Sequence, residues 1–84
     1  MRTVSGVITV VQEGRFRLAA PDGGTHLFVL SHACAVEPQD LPPLQRSRTR
    51  VAVEYEDSPD LLAGIVHRLR RLPPANAADA GAGP

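Results

Sequence analysis

Eighty-four residues with seven glycines, eight prolines and one cysteine suffice for a single small domain with a thin core. Nine arginines and no lysine balance nine carboxylates, so formal charge is zero and a broad basic surplus for gripping nucleic acid is absent. The lone cysteine excludes an intrachain disulfide, the isolated His26, His32 and His67 exclude zinc-ligand spacing, and no run of about 18 apolar residues exists to span a membrane.

The chain opens on β-branched residues. Val4, Val7, Ile8, Thr9, Val10 and Val11 crowd the stretch from Thr3 to Val11, a density that favours a strand over a helix. Apolar residues fall in both alternation phases, as in a strand that coils around a barrel. Glu13-Gly14 supplies a turn. Arg15-Phe16-Arg17-Leu18 then alternates strictly, and Ala19-Ala20 extends it. Phe16 and Leu18 are assigned to the interior, because the opposite phase would bury an unpaired Arg17. Pro21-Asp22-Gly23-Gly24 is turn chemistry: proline presets φ, and the glycines accept positive φ. Thr25 to Leu30 forms the third strand of a meander.

Ser31 to Val36 reads as a short turn or a single helical turn. Glu37 to Ser47, with three prolines, reads as the longest irregular connection. Arg48 to Glu56 alternates again, with Val51, Val53 and Tyr55 opposite Arg50, Ala52, Glu54 and Glu56. Asp57-Ser58-Pro59-Asp60 is a turn. Leu61 to Leu72 supports two readings. Its apolar spacing fits an amphipathic helix, while a strand from Leu62 to Arg70 kinked at Gly64 fits less cleanly. The order of the other elements favours the strand. From Pro73 to Pro84 no aliphatic is larger than alanine, so a disordered tail is expected after a domain of residues 1–72.

A three-strand meander, a long connection and a hairpin make the plan of an all-β, five-stranded OB-type barrel. The residues themselves resemble the cold-shock domain family. The matches are Gly6-Val7-Ile8, Gly14 to Leu18, Asp22-Gly23-Gly24, Leu27-Phe28-Val29-Leu30, His32-Ala33, Leu41 and Leu44, Val51-Ala52-Val53, and Ala63 to Val66. They span Val4 to Leu69. In that family, outward aromatics on the second and third strands stack on unpaired bases, so the resemblance implies binding of single-stranded RNA or DNA. Aligned without a gap, Arg15 and Arg17 stand where the second-strand aromatics belong. Leu30 replaces the third-strand histidine, and Ser31 the aromatic after it. Tryptophan is absent, its place taken by Val10 or a neighbour, and Phe28 alone keeps its aromatic.

The expected site is therefore Phe28 as a base-stacking platform with Arg15 and Arg17 beside it and Leu30 and His32 at its edge. Guanidinium planes stack on bases and also reach phosphate. The same residues support a blander reading, in which Arg15 and Arg17 are the solvated phase of an amphipathic strand. Phe28 with Leu30 would then form an apolar patch for a protein partner or a homodimer contact. Further arginines cluster at Arg46, Arg48 and Arg50 and at Arg68, Arg70 and Arg71, with acids in the connections. Cys34 is expected to be a small buried apolar residue. No cofactor or metal is expected. Neither is catalysis, since adjacent Ser31 and His32 point apart on a strand and no paired carboxylates or phosphate-cradling loop occurs. A missing leader segment points to the cytoplasm.

Overall fold

The first strand, β1 (Arg2–Gln12), is long because it serves two partners. In the computed structural model, which describes residues 1–58 and 62–73, its first half pairs with β4 (Arg50–Asp57), from Arg2↔Tyr55 to Val7↔Arg50. Its second half pairs with β2 (Arg15–Ala19), from Val7↔Ala19 to Gln12↔Arg15. A bulge at Thr9 shifts the register between Ile8 and Val10. Ile8 and Val11 can therefore both turn toward the core while Val10 turns out. This is the physical source of the two apolar phases in the sequence.

β2 is followed by the Pro21–Gly24 turn. Gly23 adopts φ +92°, and the Gly24 amide donates to Asp22 Oδ1 at 2.8 Å. β3 (Thr25–Leu30) then pairs with β2, and β5 (Gly64–Arg71) fits between β3 and β4, parallel to the first and antiparallel to the second. The strand order β1-β2-β3-β5-β4 closes a five-stranded barrel, the OB-type plan expected from the sequence. Closure gives every strand two neighbours. The last element is thus a strand. Leu62 is fully exposed just before it.

The connection from Glu37 to Ser47 is more regular than expected. A 3-10 turn (Pro38–Asp40) leads into a short helix, α1 (Leu41–Arg46). Pro42 and Pro43 lie in its first turn, where amide hydrogens have no intrahelical partner, so their missing donors cost nothing. Leu41 and Leu44 enter the core. Cys34 is buried, as expected.

The core holds every aromatic of the chain. Phe16 and Phe28 lie 5.4 Å apart between ring centroids, and Phe28 meets Tyr55 edge-on at 4.8 Å. Ile8, Leu18, Val51, Val53 and Val66 fill the remainder. Beyond Pro73, the expected tail lies outside the described residues, as does part of the turn after Asp57. Among the described residues no helix is long and apolar enough to cross a membrane.

Candidate functional site

The outward face of β1, β2 and β3 is set by strand register. Directly opposed residues of antiparallel strands share a side of the sheet. Phe16 and Phe28 are such a pair, and both are 1% exposed. The outward rows are therefore Val10, Arg17 and Leu27, and next to them Gln12, Arg15 and Val29, the last beside Ile65 of β5. Arg15 and Arg17 are exposed, as the sequence indicated. Leu27 is 44% exposed and Val10 is 47% exposed.

Two of the expected site residues face the other way. Phe28 is a core residue rather than a stacking platform, and Leu30, in phase with it, packs partly buried against the core. The inward phase of β3 is the one that carries Phe28, because its pairing with β2 across the Pro21–Gly24 turn sets Phe28 opposite buried Phe16. The outward patch of Phe28 and Leu30 accordingly does not form. His32 is exposed beyond the end of β3 and lines, with Arg15, a groove of about 590 Å³ at the β1–β2 turn. Leu27, Val29 and Val10 are the face residues that sequence reasoning missed. Thr25 to Leu30 is apolar in both phases, so polarity alone could not choose between them.

The charge on this face is one-sided. Among the described residues the ion pairs are Arg2–Asp57 at 2.6 Å, His67–Glu56 at 2.7 Å and Arg68–Glu54 at 3.5 Å. Each uses a carboxylate of β4: Glu54 and Glu56, which the sequence reading placed on that strand, and Asp57, which it placed in the following turn. The hydrogen bond and charge of Asp57 raise the Arg2 guanidinium above its ordinary value. Arg15 and Arg17 pair with no described carboxylate, and the nearby acids are Glu13 and Glu37, which line the groove shared with Arg15. The face thus offers two guanidinium groups, without an ion-pair partner among the described residues, set among apolar side chains.

His26, opposite buried Leu18 and so in the inward phase of β3 with Phe28, stacks on Phe28 at 6.0 Å between ring centroids and is half-buried. Among the described residues no group of three or more histidine, cysteine or acidic side chains could hold a metal ion. Comparison with protein-family models, with curated proteins and with solved structures finds no match.

Proposed function

We propose that this protein binds single-stranded RNA or DNA on the outward face of β1–β3, as a cold-shock-like OB domain with an altered surface, and acts by binding rather than catalysis. The observation that carries the reading is the pair Arg15 and Arg17, exposed on one face of β2 with no carboxylate partner among the described residues and flanked by Val10, Leu27 and Val29. OB barrels use the face of strands 2 and 3 for oligonucleotides. Guanidinium groups clamp phosphate through two parallel hydrogen bonds and lie flat on bases. Leu27 and Val29 offer apolar contact to the sugar and base edges between them.

Without an exposed aromatic, each base forgoes about 1–3 kcal/mol of stacking. Binding should therefore be micromolar rather than nanomolar and should depend strongly on salt. A fluorescent single-stranded oligonucleotide titrated at low and moderate salt tests this. Arg15→Ala/Arg17→Ala is expected to weaken binding at least tenfold and to flatten the salt slope by about 1.4, near 0.7 for each phosphate no longer neutralised. No saturable binding at low salt, or equal binding by the double variant, would refute the reading.

Exposed Val10 and Leu27 favour a second reading, a protein-docking face on a barrel that does not bind nucleic acid. Binding of that kind would barely respond to salt.

A further inference from the structure

On the other side of β1 lies a groove of about 620 Å³, lined by Val7, Ile8, Thr9, Gln45, Arg46 and Arg48. Its floor is the β1 bulge, and its far wall is the C-terminal end of α1 and the turn into β4. Gln45 Nε2 donates to the Thr9 carbonyl at 2.8 Å, tying helix to bulge. Thr9 Oγ1 donates to the Arg17 carbonyl at 3.3 Å, so the same bulge touches the backbone of the arginine face. None of the lining residues is acidic. Arg46 and Arg48 are exposed and pair with no described carboxylate, and Arg50 is the cross-strand partner of Val7.

Arg48 is also strained. It follows the Ser47 cap of α1 at φ 52°, the left-handed position of a helix-ending motif in which the Thr49 amide donates to the Leu44 carbonyl at 3.2 Å. Glycine holds that conformation with least strain, whereas an arginine there is strained by its Cβ. A strained residue that carries a free charge into a groove is a candidate for function rather than for stability.

We propose that this groove is a second phosphate subsite, in which Arg46 and Arg48 take the backbone of a nucleic-acid strand already held by Arg15 and Arg17. The inference rests on the reading given under Proposed function. The Thr9 bulge lies between the two subsites, with its hydroxyl on the Arg17 carbonyl and its own carbonyl accepting from Gln45, so a strand held by Arg15 and Arg17 reaches Arg46 and Arg48 only by running on across β1. The bound strand crosses β1 over Val10 and enters the groove. A single OB domain spans about 4–16 nucleotides, so only a longer strand fills both subsites.

The test titrates the full chain with fluorescein-labelled oligothymidylates of about 6 and about 15 nucleotides. Arg46→Ala/Arg48→Ala should leave the short oligonucleotide within twofold of wild type. It should weaken the long one about tenfold and lower its salt slope by about 1.4. Arg48→Gly separates binding from folding, because it should raise Tm by about 4 °C while weakening the long oligonucleotide about threefold. Wild-type binding of the long oligonucleotide that neither variant changes would overturn the second subsite and leave the first standing. Wild type that binds neither length would overturn both.

Discussion

Phe28→Ala is expected to cost about 3–5 kcal/mol of stability, enough to leave much of the protein unfolded at 37 °C. Phe28 is 1% exposed and packs against Phe16 and Tyr55, and its ring also covers Gly64, its cross-strand partner on β5. Truncation would open a cavity where β2, β3, β4 and β5 meet, and the barrel has few other large side chains to fill it. The same substitution discriminates between the two placements of Phe28. A surface stacking platform would lose oligonucleotide binding at near-wild-type stability, with a change within about 0.5 kcal/mol. Denaturant unfolding decides: a large drop in midpoint with an unchanged slope assigns Phe28 to the core.

Gly6→Ala should be damaging for a different reason, with a cost of about 3 kcal/mol or more, at or above the upper end for overpacking. Gly6 sits where β1 changes partner from β4 to β2. A Cβ there would overlap the Ala19 carbonyl oxygen and lie 2.9 Å from the carbonyl carbon and 3.2 Å from Ala20 Cα. All of these are backbone atoms, which can move only by breaking the pairing of β1 with β2. Gly14→Ala is the control. Its Cβ would meet nothing nearer than Pro38 Cγ at 3.7 Å, and the change should stay within about 0.5 kcal/mol. Equal effects at the two sites would mean that β1 and β2 do not approach so closely at Gly6.

The barrel was legible in the sequence because strand chemistry and turn chemistry agreed along most of the chain. Arg15 to Leu18 declared its own faces, since only one phase could be buried without burying charge. The ambiguity of Leu61 to Leu72 has a physical cause in a second bulge. In β5, Val66 pairs with Tyr55 and Leu69 with Val53, with the extra residue at His67. Two inward residues three apart imitate helical spacing, and the first bulge does the same with Ile8 and Val11. Pro42 and Pro43 looked like breakers because a helix's first turn is the one place where they are not.

The site was only half legible. Arg15 and Arg17 were placed by charge, which a single strand carries by itself. Phe28, Leu30 and their neighbours had to be placed by register, which depends on the turn between two strands. With Leu27 and Val29 in one phase and Phe28 and Leu30 in the other, hydrophobicity gives no preference for either face.

The central claim, that the outward face of β1–β3 holds single-stranded nucleic acid, is tested most directly by following backbone amide resonances of ¹⁵N-labelled protein during oligonucleotide titration. The expected result is a contiguous set of shifts at Val10, Arg15, Arg17, Leu27 and Val29, abolished when salt is raised. Shifts confined to the opposite wall around Glu54, Glu56 and Arg68, or no shifts at saturating oligonucleotide, would contradict it.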